Sequence, residues 1–429
     1  MANPIPREQE TFKLSSLILS VYLPTFLFAI GQGAVLPIIP LFALELGASV
    51  AAASAVVGAR GLGLMLFDVP SGLAVSRFGD KGAMVAGTAM VAVVAVGASL
   101  SRSVPALAVL MLIMGGGWSF WQVARLAYIS EITPNEQRGR AIALLGGMQR
   151  VGNIIGPILG GLLGQYFGLG SAFYAQAVLG LAAAAMMFIV VREGSGSENL
   201  GGHGIVGRLF TTVVEQRKII LSAGLAAILI QVVHQGRDVF LPLWGKAIGL
   251  DVARIGLVIG IASLVDAALF YPAGYIMDRW GRKRASVPSL LILSLGFLAL
   301  PATTDVHGYA LVAILIGVGH GLGAGLVSIL GADFAPALRR GEFLGVWRLI
   351  NDCGNAGGPF TMSLIIASAS LGLASICTAG LGLAGTMVMW LFVPETLRRS
   401  AAHIPGEPTL TGAKPLGAAE PARSHDQSG

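Results

Sequence analysis

The chain has 429 residues, of which 55% are hydrophobic and 12% charged, against about 25% charged in soluble domains. With a mean hydropathy of +0.77, that composition excludes an ordinary soluble protein and makes the bilayer its solvent. The formal charge of +6 would suit a nucleic-acid partner, but its distribution along the chain marks membrane orientation instead, and no nucleic acid is expected.

The first 14 residues are polar, with Arg7, Glu8, Glu10 and Lys13, and the apolar run behind them is too long for the core of a cleavable signal peptide. Twelve apolar runs follow, at 15–41, 52–75, 83–100, 105–129, 141–164, 171–191, 219–244, 254–277, 286–303, 308–331, 343–367 and 372–393. Each is long enough to cross a ~30 Å hydrocarbon core as a helix. The predicted fold is an all-α membrane protein of twelve transmembrane helices in two pseudo-symmetric six-helix halves. Residues 1–195 form the first half and 219–399 the second. Between them, 196–218 reads as a cytoplasmic linker. It is rich in Gly and Ser, and Ile205, Val206, Leu209, Phe210, Val213 and Val214 at helical spacing suggest an amphipathic surface helix. Residues 400–429, rich in Ala, Pro and Gly, are expected to be a disordered tail.

The halves repeat each other at an offset of 202 positions. Gly72, Arg77, Gly79 and Lys81 map onto Gly274, Arg279, Gly281 and Lys283. Pro40 maps onto Pro242, Gly47 onto Gly249, and Gly152, Asn153, Gly156 and Pro157 onto Gly354, Asn355, Gly358 and Pro359. A register kept over this length means two equivalent half-proteins, which in a membrane points to a transporter.

Basic residues are unequally shared among the loops. Counting from the N-terminus, one set holds Arg77, Lys81, Arg138, Arg140, Arg192, Arg208, Arg217, Lys218, Arg279, Arg282, Lys283, Arg284, Arg339 and Arg340, and the other only Arg102, Lys246 and Arg254. Positive-inside bias places both termini in the cytoplasm, and a bacterial inner membrane is the expected location. Cys353 and Cys377 lie inside apolar runs and read as buried small side chains; no disulfide or metal site is expected.

At this point the residues resemble the major facilitator superfamily, most of all its twelve-helix drug:proton antiporters. The resemblance covers about residues 15–397 and rests on Gly274-x-x-x-Asp278-Arg279-x-Gly281-Arg282-Lys283-Arg284 and on Gly152-x-x-x-Gly156-Pro157-x-x-Gly160-Gly161. Leu36-Pro37-Ile38-Ile39-Pro40 and Pro394-Glu395-Thr396 add weaker support. The pattern departs in several places. Ser76 and Asp80 replace the first loop motif's Asp and Arg, Ala143 stands for a Gly, Met111 sits where the antiporter Arg of the fourth run is expected, and the first run has only Glu45 at its outer end.

The loop signature is expected to work as a cytoplasmic gate. Gly281 permits a tight turn, Gly274 a close helix approach, and Asp278 is placed to face a helix N-terminus of the other half. The resemblance implies that Arg282 pairs with Asp333. In the first half Gly72, Arg77 and Gly79 remain, but Asp80 would face Glu131 as a like charge. The alternative for both copies is simple topogenic charge. Gly152, Gly156 and Gly160 form a smooth stripe and Pro157 invites a kink; tight packing or a hinge follows.

Five arginines fall inside apolar runs, Arg60, Arg125, Arg150, Arg237 and Arg348, with Asp68, Asp238, Asp266, Asp352, His234 and His320. Each is costly in hydrocarbon, so each should face protein or water. None lies in the third, sixth, ninth or twelfth run, which marks those four as the lipid-facing scaffold. Arg348 and Asp352, four apart, are expected to pair on one face. Asp266 has no basic partner on its own helix and is the first choice for proton coupling, followed by Asp352 and Asp68, with Asp238, His234 and His320 behind. Gln32, Arg60, Trp118, Trp121, Arg150, Arg237 and Arg348 are the candidates for lining a substrate cavity, the tryptophans suiting an aromatic cargo or, equally, helix packing.

The expected function is secondary active export of a small organic compound or drug against proton entry, by a monomer without cofactor, the proton gradient being the energy source. The alternative is an importer of a small organic nutrient such as a vitamin or organic anion. An enzyme is not expected, since no H-E-x-x-H, nucleophile elbow or nucleotide loop occurs.

Overall fold

The computed structural model describes residues 17–191, 211–336 and 339–397, which are helical almost throughout. The helices are α1 (Leu23–Val35), α2 (Ile38–Glu45), α3 (Val50–Ser99), α4 (Val104–Ile132), α5 (Asn135–Phe167), α6 (Gly170–Val190), α7 (Leu225–Ala247), α8 (Val252–Trp280), α9 (Lys283–Ala299), α10 (Val306–Leu322), α11 (Leu326–Phe334), α12 (Arg340–Ser368) and α13 (Leu371–Leu391). Twelve crossings in two six-helix halves result. The 50-residue α3 is more than twice the length a ~30 Å core needs, and its two runs meet at Gly79. Among the described residues ten helices are apolar and long enough to cross a membrane, counting α3 once. α12, the remaining crossing, carries Arg348, Asn351, Asp352 and Asn355.

The repeat is visible in the backbone. Gly79 and Gly281 both turn with left-handed φ, 73° and 107°, at the loop signatures, and Gly47 and Gly249 do so at the opposite ends, 87° and 82°. At those opposite ends the helices start on side-chain caps: Ser49, Ser103, Asp251, Asp305 and Ser370 each accept from a backbone N–H three residues on. Two predicted runs are interrupted. The first breaks at Leu36–Pro37, where proline removes a backbone donor. The tenth breaks between Leu322 and Leu326, where Gly319, Gly321, Gly323 and Gly325 weaken the helix and Gly325 turns left-handed. Of the expected amphipathic helix over 205–218, residues 205–210 lie outside the described residues; 211–215 and 217–218 are helical. The tail, 400–429, also lies outside them.

Packing within each half uses small residues. A side chain at Gly156 would bring its Cβ to 2.5 Å from Gly33 Cα, and one at Gly152 to 2.5 Å from Ala29 Cβ, so α5 lies backbone to backbone on α1. At equivalent positions of the second half, Gly354 and Gly358 press against Gln231 and Val232 of α7. Large apolar side chains such as Val93, Val178, Leu295 and Met387 point outward from the third, sixth, ninth and twelfth crossings, the surface a lipid-facing scaffold presents.

The halves meet mainly at their capped ends. Ser54 donates to Pro359 O at 2.8 Å and Ser363 to Ala51 O at 2.7 Å, joining α3 to α12. On the other seam Gly161 of α5 faces Val252 and Gly256 of α8, and Val252 N donates to Gln165 Oε1 at 3.1 Å. Toward the basic loops the packing loosens among the described residues. Gly72 and Gly274, and Gly139 and Gly341, are two pairs at the repeat offset, and an added Cβ at any of the four meets nothing within 4 Å. The interface hydrogen bonds named above thus lie toward the capped ends, and open space surrounds these four glycines toward the end bearing residues 72–82 and 274–284.

Candidate substrate and proton sites

A cavity of about 590 Å³ lies between the halves, within the ~300–1,000 Å³ usual for small-molecule sites. Its walls come from both halves: Gln122, Gln149, Arg150 and Asn153 from α4 and α5, Arg237, Asp238, Ser263, Asp266, Phe270 and His320 from α7, α8 and α10. A second space of about 340 Å³ shares Arg150, Asp238 and His320, and adds Gln231, His234, Gln235 and Asn351. The break after α10 places the imidazole of His320 here, with its ring centroid 4.4 Å from that of His234.

Asp266 is the centre of a charge cluster. Arg150 reaches its Oδ1 at 3.4 Å across the interface, and Arg237 its Oδ2 at 3.2 Å. His320 Nδ1 stands 3.3 Å from the same Oδ2, without hydrogen-bond alignment. Arg237 also donates to Ser263 Oγ, and the Arg150 guanidinium covers the face of Phe270 at 3.8 Å. The sequence had placed Asp266 without a basic neighbour because only its own helix is readable there. Both its oxygens are held by groups from α5, α7 and α10.

A second cluster joins the halves on the other seam. Arg348 of α12 donates from Nε to Asp68 Oδ2 at 2.5 Å and from NH2 to Oδ1 at 2.8 Å, and Ser119 Oγ of α4 donates to the same carboxylate. Arg348 therefore bonds across the interface rather than to Asp352 one turn along, which corrects the expected pairing. Asp352 is buried, at 3% exposure, and lies within hydrogen-bonding reach of Asp68. Asn355 Nδ2 donates to its Oδ1 at 3.3 Å, while its Oδ2 receives no hydrogen bond. Gln231 and Gln235 in turn donate to Asn355 Oδ1 at 2.8 and 3.0 Å. The guanidinium thus bonds Asp68 alone of two neighbouring carboxyl groups, with an amide chain running from Asp352 to the cavity wall.

Other candidates are placed elsewhere. Trp121 is fully buried and Trp118 nearly so; both pack with Phe28, at centroid separations of 4.6 and 5.5 Å. They form helix-packing core, the second of the two readings open to them. Gln32 and Arg60 join Trp118 around a space of only about 10 Å³. Arg125, buried on α4, lies 3.8 Å from the Trp121 ring and donates to Gln149 Oε1 at 3.2 Å. The amides of the cavity wall escaped the sequence reading, which weighed charges and aromatics; a search for Asn and Gln inside apolar runs would have found them. Among the described residues no cluster of His, Cys, Asp and Glu is placed to hold a metal.

At the open end, Arg282 Nε bonds Asp333 Oδ2 at 3.0 Å, and its NH1 reaches Met277 O at 2.6 Å and Asp278 Oδ1 at 3.3 Å. Glu395 accepts from the backbone N–H groups of Arg282 and Lys283 at 2.8 and 3.1 Å, and Lys283 Nζ bonds Trp390 O at 2.7 Å. Every one of these partners is in the second half, and the Asp278 side chain is 77% exposed. In the first half Asp80 is buried against Glu131; burial, then the neighbouring carboxylate, pushes its carboxyl up to about 6.

The Major Facilitator Superfamily profile matches residues 21–236 and again 223–423, so that it recurs once per half. The multidrug resistance protein MdtG of Salmonella typhimurium is 26% identical over 323 residues, 70% of this chain and 78% of its own. An uncharacterized MFS-type transporter of Methanocaldococcus jannaschii is 21% identical over 337 residues, 78% of this chain and 87% of its own. A mutant of the nucleoside transporter NupG superposes with a TM-score of 0.75 at 14% identity, covering 89% of this chain and 100% of that structure, a likeness of fold alone. Two matched halves, twelve crossings and a polar cavity between them identify the chain as a member of the Major Facilitator Superfamily, a membrane-embedded secondary transporter of small molecules.

Proposed function

We propose that the protein exports a small organic compound in exchange for protons, by alternating access, as a monomer in a bacterial inner membrane with both termini in the cytoplasm. The observation that carries proton coupling is the Asp68–Arg348–Asp352 cluster. Its two carboxyl groups face one guanidinium, which leaves a negative charge uncompensated between the halves, and the open Asp352 Oδ2 is where a proton fits. A proton there alters the charge balance on that seam, so it biases two arrangements of the halves. The open end carries the basic loops, so this arrangement is read as inward-facing.

The signature loops supply the opposing closure. Among the described residues Asp278 bonds only within the second half, where Arg282, Asp333 and Glu395 hold the loop in shape. Closure would bring Asp278 to the other half. The first-half copy, with Ser76 and the Asp80–Glu131 pair, offers no equivalent cation, so the gate is asymmetric. Export is supported by the similarity to MdtG.

Import remains the second reading, and two residues favour it. Met111 is fully buried where the antiporter arginine is expected, and the first crossing carries its acid, Glu45, only at the end of α2. Everted vesicles separate the two. An exporter dissipates an acid-inside gradient when cargo is added and accumulates cargo in an acidified lumen; uptake by intact cells that ignores an uncoupler overturns proton coupling in either direction.

A further inference from the structure

The charges around the cavity cancel. Of the residues lining the two spaces, Arg150 and Arg237 stand against Asp238 and Asp266, two against two. Arg150 and Arg237 both hold Asp266, and Asp238 is the chain neighbour of Arg237. Arg125, the fifth intramembrane arginine, lies on Trp121 within the first half and lines neither space. An anionic cargo would need a guanidinium not already matched. A lipophilic cation would need open aromatic faces, yet Phe270 is covered by Arg150 and the tryptophans are buried.

What the walls do offer is amides. Gln122, Gln149 and Asn153 come from the first half, and Gln231, Gln235 and Asn351 from the second. Gln149 accepts from Arg125, and Gln231 and Gln235 donate to Asn355, but an amide carries several donor and acceptor positions, the pattern that matches hydroxyl and amide groups of a neutral molecule. Asn153 Oδ1 and Asn351 Oδ1, one from each half, are buried and lack hydrogen-bond partners. Such atoms are costly to leave unpaired, and a bound donor satisfies both.

We propose that the cargo is a small uncharged molecule rich in hydroxyl or amide groups, of the size and polarity of a monosaccharide or a nucleoside, held between Asn153 and Asn351. This rests on the transporter reading above and narrows it, since it removes lipophilic cations and organic anions as the preferred class.

The test uses the purified full-length protein in detergent. Its melting temperature is measured with millimolar pentoses, hexoses and nucleosides, and with tetraphenylphosphonium and benzoate as the charged alternatives. A member of the uncharged set is expected to raise the melting temperature. Asn153→Ala and Asn351→Ala are each expected to weaken its apparent Kd roughly tenfold, the scale of one hydrogen bond lost with its partner left unpaired. Asn153→Ser and Asn351→Ser, which keep a hydroxyl, serve where the alanine variants do not elute as a single species, with the same direction of effect. Stabilisation by tetraphenylphosphonium or benzoate alone, or by none of the uncharged compounds, overturns the proposal. Everted vesicles that export a lipophilic cation against protons would then keep the exporter and remove this cargo. Binding of an uncharged compound that moves no protons in the same vesicles would keep the cargo site and remove proton exchange.

Discussion

Arg348 and Asp68, 280 positions apart in sequence, meet through two hydrogen bonds of 2.5 and 2.8 Å that join the two halves deep in the membrane. Breaking a fully buried pair by removing one partner costs about 3–5 kcal/mol. Because 36% of the Arg348 side chain is exposed, Arg348→Ala is expected to cost roughly 1–3 kcal/mol and to abolish gradient-driven transport. A double-mutant cycle with Asp68→Asn, read by thermal unfolding, should show the two changes to be strongly non-additive; additive losses would mean the pair carries no coupling.

Asp352 and Asp266 should respond differently to the same change. Asp352→Asn removes the uncompensated carboxyl while keeping a partner for Asn355, so the fold should persist with proton exchange lost. Asp266→Asn strips the counter-charge from both Arg150 and Arg237, so it should lower the melting temperature as well as transport. Proton fluxes and melting curves of the two variants, measured side by side, decide this; gradient-driven exchange surviving in Asp352→Asn would move the coupling site elsewhere.

Asp80 gives a pH dependence outside the membrane. Its folded-state value of about 6 lies above the ordinary carboxylate range near 3.9, so between these values the folded protein binds the proton more than the unfolded chain does. Stability therefore falls as pH rises through about 4 to 6 and stays lowered above that. Asp80→Asn should relieve the penalty, raising stability by about 1–2 kcal/mol at neutral pH once solvent screening is allowed for, and by nothing near pH 4. Unfolding of both proteins across that range checks the sign, and a benefit that is the same at every pH would point to another cause.

Gly156 has no room for a side chain. Gly156→Ala places Cβ 2.5 Å from Gly33 Cα, which overpacking experience prices at about 1–3 kcal/mol. The expected result is reduced yield and a lower melting temperature. Gly139→Ala, with nothing within 4 Å, should leave both unchanged.

Asp278 should matter to the cycle and not to the present arrangement. Its side chain is largely exposed and reaches only Arg282, so Asp278→Asn should keep the melting temperature while slowing transport at least tenfold. Spin labels on the 72–82 and 274–284 loops would show whether the variant still samples the closed inner end. Normal transport would leave the signature with a purely topological role.

The duplication was fully readable, because equivalent backbones need the same special residues: Gly79 and Gly281 turn left-handed for the same reason. Arg282 with Asp333 was also foreseen, though through family resemblance rather than spacing. What sequence spacing hides is contact between helices. Asp266 looked solitary since its cations lie on α5 and α7, and Arg348 looked bound to Asp352 since i,i+4 geometry ignores Asp68. The break after α10 was readable in its glycines, yet the hydropathy of the run masked it.

Charges that cancel around the cavity also set the electrical character of transport. An uncharged cargo adds nothing to the charge crossing the bilayer, so each exchanged proton moves one net elementary charge. That movement is worth about 2.3 kcal/mol per 100 mV, roughly a 50-fold bias in cargo distribution. The cycle should therefore run on voltage even when the pH is equal on both sides, and should register as a current on a capacitive membrane. A monovalent cationic cargo exchanged for one proton would leave that current at zero.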